Sequence, residues 1–83
     1  MRVRIRLFAR LRELAGAEEL AREAAAGATV GDVWNALAAE FPALAPYGRA
    51  VSAAVNDDYA PRRRPIEDGD EVAFLPPVSG GRR

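Results

Sequence analysis

Strict alternation of apolar and charged residues opens the chain. In residues 2–8, Val3, Ile5 and Leu7 alternate with three arginines. A period of two is typical of a β-strand with one buried face, because successive side chains of a strand point to opposite sides. We therefore predict a strand here with a cationic outer face, and Phe8 falls on the same outer side as the arginines.

Two later segments have helical character. Residues 9–15 are good helix formers, and residues 29–41 place apolar side chains at spacings of three and four. The second pattern is the apolar stripe of an amphipathic helix. Thr29 is suited to the N-cap, and Asp32 occupies the third position of a capping box. We predict a short helix and a longer one, and we expect Trp34 of the longer helix to lie in the core.

Residues 17–26 leave two structures open. Their alanine, glutamate, leucine and arginine side chains all favour a helix. However, Gly16 and Gly27 bound a stretch that has the length of a strand. The residues themselves do not decide between the two.

The second half of the chain predicts short elements. Residues 42–50 contain two prolines and a glycine and indicate an irregular connection. Strands are predicted at 51–55 and 71–75, with a weaker edge strand near 59–60 that Pro61 limits. The order of elements indicates an α+β fold in which the long helix covers one face of a small mixed sheet.

Composition excludes most side-chain chemistry. The chain has 83 residues, enough for one domain, and its twelve arginines balance twelve acidic residues. It contains no cysteine, histidine or lysine. This excludes disulfides, zinc sites built on cysteine or histidine, and Schiff-base chemistry on lysine. We expect this chain to bind no metal and no cofactor, and with no net charge we expect no nucleic-acid or membrane partner.

Two charged clusters each allow a chemical and a structural interpretation. The run Arg62–Arg64 could contact phosphates, but a solvated loop is favoured in a chain of zero net charge. The acidic residues of 67–71 could bind a hard cation through oxygen ligands. Their position around Gly69 favours a charged turn instead.

The last strand and the segment after it are the most distinctive features. Residues 72–75 are apolar on both faces, so this strand is either buried on both sides or exposes a surface for a partner. We expect residues 1–75 to form the globular domain and residues 76–83 a flexible C-terminal tail. Two glycines, Gly80 and Gly81, would let that tail thread a narrow channel.

The residues that carry a family resemblance lie along nearly the whole chain. The segment 68–81, DGDEVAFLPPVSGG, resembles the C-terminal signature of MoaD-type sulfur carriers, the small subunits of molybdopterin synthase. Residues 8–16, FARLRELAG, and residues 53–56, AAVN, resemble the first corner and the middle turn of that family. The resemblance implies a ubiquitin-like β-grasp fold. It also implies that residues near 18–24 form a strand against their helix propensity.

The resemblance implies that the reacting group is the C-terminal carboxylate of Gly81. Gly80, the residue before it, belongs to the same site. An E1-like adenylyltransferase would use ATP and magnesium to adenylate Gly81, and sulfur would then replace the adenylate to give a thiocarboxylate. The large subunit of molybdopterin synthase would receive the tail and pass the sulfur to a pterin precursor in molybdenum cofactor biosynthesis. The docking candidates for these partners are Phe8, Phe74, Leu75, Pro76 and Pro77.

One departure from the family pattern concerns the residues after the two glycines. Arg82 and Arg83 follow Gly81, so Gly81 is in a peptide bond and has no free carboxylate. The favoured explanation for these two residues is that a protease removes Arg82 and Arg83. The alternatives are that the chain has lost the carrier function or that it is an inactive precursor until it is cut.

The competing functions for the chain are a ubiquitin-like protein modifier, a sulfur carrier for thiamine synthesis or tRNA thiolation, and a binding module. The alternating N-terminus lacks the apolar core of a signal peptide, so we expect a cytoplasmic protein.

Overall fold

A computed structural model describes residues 1–77. The strands are β1 (Arg2–Leu7), β2 (Glu19–Glu23), β3 (Ser52–Val55), β4 (Asp58–Tyr59) and β5 (Glu71–Leu75). The helices are α1 (Ala9–Ala15), α2 (Val30–Glu40) and a 3-10 helix (Pro42–Tyr47). The expected tail beyond Pro77, including Gly80 and Gly81, lies outside the described residues.

The five strands form one mixed sheet in the order β2-β1-β5-β3-β4. The central strands β1 and β5 are parallel, and every other neighbouring pair is antiparallel. Helix α2 lies between β2 and β3 in the chain and packs on one face of the sheet. This is the ubiquitin-like β-grasp arrangement, and the predicted α+β class with one covered face is confirmed.

The core lies between α2 and the covered face of the sheet. The alternating residues of β1 point into it, with Val3, Ile5 and Leu7 each at most 2% exposed. From α2, Trp34 packs edge-on against Phe74, with ring centroids 5.1 Å apart. The prediction that Trp34 is a core residue is confirmed.

The segment that the sequence left open forms strand β2. It pairs antiparallel with β1, which places Arg2 opposite Glu23 and Arg6 opposite Glu19. Leu20 turns toward the core and packs against it. Pairing, opposite charges and the burial of Leu20 together outweigh a helix propensity of a few tenths of a kcal/mol per residue.

The longer helix begins where the sequence indicates, and the connection after it is more regular than expected. Thr29 and Asp32 form a reciprocal capping box, so two backbone N–H groups at the start of α2 have acceptors. Residues Pro42–Tyr47 form a 3-10 helix rather than an irregular connection. Proline already has a backbone φ suited to this helix, and the fully buried Leu44 anchors it.

The acidic residues of the β4–β5 connection build a turn. Asp70 accepts hydrogen bonds from the backbone N–H of Glu67, at 2.8 Å, and from the side chain of Asn56, at 3.0 Å. Asp68 accepts one from the backbone N–H of Arg2, at 2.6 Å. Within residues 1–77 there is no group of three or more acidic side chains placed to hold a metal ion. The charged-turn interpretation accounts for these contacts.

The part of the chain that the structure describes contains no helix with the length and apolarity needed to cross a membrane.

The corner between β1 and α1 holds a backbone strain that can be tested. Ala9 has φ of +52°, in the left-handed region that costs an L-residue about 1–2 kcal/mol. For Ala9→Gly we expect a free energy of unfolding within about 0.5 kcal/mol of wild type, because relieved strain offsets the larger entropy of unfolded glycine. Ala36→Gly, at an exposed position inside α2, should lose about 1 kcal/mol. Urea denaturation measures both, and equal losses would show that Ala9 is unstrained.

A second prediction concerns the ion pair that ties β2 to the end of α2. Arg22 Nε donates to Glu40 Oε1 at 2.9 Å, and this bonding holds the pKa of Glu40 below its ordinary value. A lowered folded-state pKa stabilises the protein above the unfolded pKa, and this stabilisation is lost as the pH falls through the folded value. Glu40→Gln should therefore destabilise at pH 7 and reduce the loss of stability on acidification.

Denaturant unfolding at pH 7 and at pH 3–4 measures this difference. Glu18→Gln is the matched control, because Glu18 is exposed and forms no ion pair within residues 1–77. If wild type and both variants lose the same free energy of unfolding on acidification, the ion pair between Arg22 and Glu40 does not contribute to the pH dependence of stability.

Candidate functional site: the open face of the sheet

The face of the sheet opposite α2 is uncovered within the described residues, and strand register decides what it presents. Arg6 of β1 lies opposite Ala73 of β5, Ala73 lies opposite Ala54 of β3, and Ala54 lies opposite Tyr59 of β4. This row therefore passes from a cation through two small side chains to an aromatic ring. Tyr59 is 81% exposed, an unusual exposure for a large apolar side chain.

Toward the start of β1 the open face is charged and internally paired. Glu71 accepts hydrogen bonds from Arg4, at 2.8 Å, and from Arg6, at 3.4 Å. At the edge of the sheet Arg2 pairs with Glu23 at 3.1 Å. Exposed pairs of this kind contribute about 0–1 kcal/mol each. Their main consequence is that the arginine row of β1, predicted to face outward, is largely neutralised.

Toward the end of β1 and β5 the same face becomes apolar. Phe8 and Leu75 are both half-buried, and the Arg6 guanidinium carbon lies 5.2 Å from the centre of the Phe8 ring. Pro76, half-buried, and Pro77, exposed, continue from β5. We call this surface the apolar end of the open face; it consists of Phe8, Ala54, Tyr59, Ala73, Leu75, Pro76 and Pro77.

One of the docking candidates does not lie on this surface. Phe74 is 1% exposed and packs in the core against Trp34. The sequence-based assignment of Phe74 to a docking surface was wrong, because alternation along β5 turns Val72 and Phe74 inward and Ala73 and Leu75 outward. Phe74 instead supports the apolar end from beneath.

The other site residues that the sequence predicts lie either in the apolar end or beyond Pro77, outside the described residues. Phe8, Leu75, Pro76 and Pro77 are brought together, and Pro77 is the last described residue. Gly80 and Gly81 lie outside the described residues. The sequence contains no cysteine, histidine or lysine, so none of these three nucleophiles or bases lies on this surface. Its chemistry suits docking of a protein.

Sequence reasoning missed Tyr59, Ala54 and Ala73. Ala73 could have been placed from the alternation along 71–75, in which every second residue shares a face. The other two depended on knowing that β3 pairs with both β5 and the two-residue strand β4. A two-residue strand is too short to show an alternating pattern, so nothing in the sequence marked Tyr59 as exposed.

Comparison with known proteins places the chain in a family. Residues 5–81 match the model of the ThiS family. The molybdopterin synthase sulfur carrier subunit of Escherichia coli is 42% identical over 82 residues, which cover 95% of this chain and 99% of that protein.

Solved structures agree with the sequence comparison. The crystal structure of SAMP1 from Haloferax volcanii, a small archaeal modifier protein, matches with a TM-score of 0.84 and 33% identity, covering 98% of this chain and all of that one. In a complex of subunits 1 and 2 of the molybdopterin-converting factor from Helicobacter pylori, a chain matches with a TM-score of 0.69 and 27% identity, covering 98% of this chain and all of that one. With a family match over nearly its whole length and relatives aligned from end to end, the chain belongs to the ThiS family.

Proposed function

We propose that this chain is the sulfur carrier subunit of a molybdopterin synthase. The observation that supports this most is the apolar end of the open face, which is continuous with Pro76 and Pro77 on the way to Gly80 and Gly81. A carrier needs such an arrangement, because the surface that binds the partner then also sets where the reacting end is delivered. The Escherichia coli relative carries the same function in its name.

The reacting group in this proposal is the carboxylate of Gly81. Since Arg82 follows Gly81 in the sequence, a protease first hydrolyses that peptide bond. An oxygen of the new carboxylate attacks the α-phosphorus of ATP, which an E1-like adenylyltransferase holds with Mg²⁺. The bond from the α-phosphorus to the bridging oxygen breaks, and pyrophosphate leaves. Hydrosulfide then adds to the acyl carbon, AMP leaves, and Gly81 carries a thiocarboxylate.

Transfer of the sulfur completes the cycle without a redox step. The thiocarboxylate sulfur attacks an electrophilic carbon of the pterin precursor and forms a thioester with it, while a carbon–oxygen bond at that carbon breaks and the oxygen leaves with the electron pair and takes up a proton. Water cleaves the bond between the acyl carbon and sulfur, which regenerates the Gly81 carboxylate and leaves a thiolate on the pterin. Catalytic side chains for these steps come from the partners, since this chain has no cysteine, histidine or lysine.

The role of the described residues is to bind the large subunit. Phe8, Leu75 and the two prolines present apolar area of the kind that dominates the centre of protein interfaces. The paired arginines and glutamates beside them form the polar rim. The related complex from Helicobacter pylori, which joins subunits 1 and 2 of a molybdopterin-converting factor, supports this assembly.

A second candidate function is favoured by the similarity to SAMP1. As a protein modifier, the chain would use the same Gly81 adenylate, but an amine of another protein would displace AMP and form an amide. The chain contains no lysine, so it cannot form side-chain-linked polymers of itself. The two functions differ in their product, which is a sulfurated pterin in one case and a protein conjugate in the other.

The thiocarboxylate can be detected directly by mass. A chain ending at Gly81 is incubated with its adenylyltransferase, ATP, Mg²⁺ and hydrosulfide, and intact mass spectrometry follows the product. We expect the mass increase of one oxygen-to-sulfur exchange. A chain ending at Gly80 tests whether the second glycine is needed, and the chain that retains Arg82 and Arg83 should not change. An unchanged mass for the Gly81 form would contradict the carrier function, and amide-linked conjugates would favour the modifier.

Docking can be tested at the apolar end with a matched pair of variants. Leu75→Glu places a carboxylate on the apolar end, where it must be desolvated on binding, and we expect at least a tenfold weaker affinity for the large subunit, or about 1.4 kcal/mol. Ala21→Glu adds the same charge to the open face in β2, where Ala21 is exposed on the charged side opposite Arg4. Its affinity should stay within about twofold of wild type.

Isothermal titration calorimetry measures both affinities, and circular dichroism confirms that both variants fold. Equal weakening by Leu75→Glu and Ala21→Glu would show that binding does not depend on the apolar end.

A further inference from the structure

Three consecutive arginines, Arg62–Arg64, pass the start of α2, and the side chain of Arg62 reaches the residue before Arg49. The loop that carries Arg62–Arg64 runs along the first turn of the helix, where the backbone N–H groups of Gly31 and Val30 donate to the carbonyls of Arg62 and Arg64 at 2.8 and 2.9 Å. The Arg62 guanidinium donates to the carbonyl of Gly48, which brings it next to Arg49. We call Arg49, Arg62, Arg63 and Arg64 the arginine patch.

The four arginines of the patch form no ion pair within residues 1–77, a property that they share with Arg12 of α1. Within residues 1–77, ion pairs form at arginines of β1, α1 and β2, namely Arg2, Arg4, Arg6, Arg10 and Arg22. None of the four patch arginines forms one in that same range. Asp32 is the acidic residue of the adjacent first turn of α2, and the four arginines outnumber it, so this end of the molecule is electrostatically complementary to a negatively charged ligand.

A cleft of about 380 Å³ adjoins the arginine patch. Its apolar lining includes Val30, Trp34, Val51 and Phe74, and Arg62 lies in its wall. The cleft opens beside β3 because β4 is only two residues long and covers only the end of that strand. An apolar cavity beside unpaired guanidinium groups can accept an apolar side chain and carboxylates from one ligand.

The charge of its rim distinguishes this cleft from a second cavity within residues 1–77. A cavity of about 420 Å³ lies between β2 and α2, and Arg22 and Glu40 at its rim already pair with each other. Glu23 and Asp32 add further negative charge beside Ala24–Ala28. That cavity therefore offers no unpaired cation, whereas the cleft near Arg62 lies beside four arginines that form no ion pair within residues 1–77.

We propose that the arginine patch and its cleft dock an acidic peptide segment of a protein partner, one that carries an apolar side chain among its carboxylates. Guanidinium groups bind carboxylates in a bidentate manner, and the apolar side chain enters the cleft. A protein segment fits better than a nucleic acid, because the chain has no net charge and the adjoining apolar cleft accepts an apolar side chain rather than a phosphate. The proposal does not involve Gly81, so it stands or falls independently of the sulfur chemistry.

Binding is tested on the full chain with defined probes and a reporter inside the site. The probe is a short synthetic peptide of glutamates with one central leucine, and a second peptide replaces every glutamate by glutamine. Nitrogen-15 NMR follows the indole N–H of Trp34, the one tryptophan of the chain, together with the backbone signals of the 61–65 loop. We expect the acidic peptide to shift these signals in a salt-sensitive manner and the glutamine peptide to leave them unchanged.

Matched double variants separate the patch from general electrostatic attraction. Arg49→Gln with Arg63→Gln removes two guanidinium groups that form no ion pair within residues 1–77, and the affinity should fall about threefold to tenfold. Arg2→Gln with Arg4→Gln removes the same charge from the open face and should change it less than twofold. Thermal melts establish that all variants are folded.

Three results would overturn the proposal. The first is no shift of the Trp34 and loop signals by the acidic peptide. The second is an equal loss of affinity in the two double variants, since binding would then reflect overall charge alone. The third is tighter binding of a single-stranded oligoribonucleotide of equal charge at the same residues, which would identify the patch as a nucleic-acid site.

Discussion

The parallel pairing of β1 with β5 is the interaction on which the rest of the structure depends. It places the first and last strands side by side at the centre of the sheet, with Ile5 opposite Val72 and Leu7 opposite Phe74. These four side chains are each at most 2% exposed, so the pairing is fixed by the core. A shift of β5 by one residue would bury Ala73 and Leu75 and expose Phe74, which the packing against Trp34 opposes.

The same pairing determines where the chain can act. Since the two strands run in the same direction, Phe8 after β1 and Pro76 after β5 emerge at one end of the sheet. The surface that carries the apolar side chains is therefore also the surface at which Pro77, the last described residue, lies. In the proposed carrier function, a protein without cysteine, histidine or lysine takes part in group transfer through the main-chain carboxylate of Gly81 rather than through a side chain.

Most of the fold was predictable from local patterns, and the failures have specific causes. The alternation in β1 and the apolar stripe and capping box of α2 were confirmed because both patterns extend over several residues. Residues 19–23 could not be assigned from their composition, since pairing with β1 decides their structure. Phe74 was misplaced because a strand that is apolar on both faces does not show which face is buried, although alternation does exclude Phe74 and Leu75 from sharing one face. Tyr59 was missed because its exposure depends on which strands flank β3. The expectations for Gly80 and Gly81 stay predictions, since these residues lie outside the described range.

The intact mass of the protein purified from its own cells tests the carrier account most directly. The account predicts a chain that ends at Gly81, with a fraction heavier by one oxygen-to-sulfur exchange. A mass that always includes Arg82 and Arg83, even when the adenylyltransferase and ATP are supplied, would contradict it.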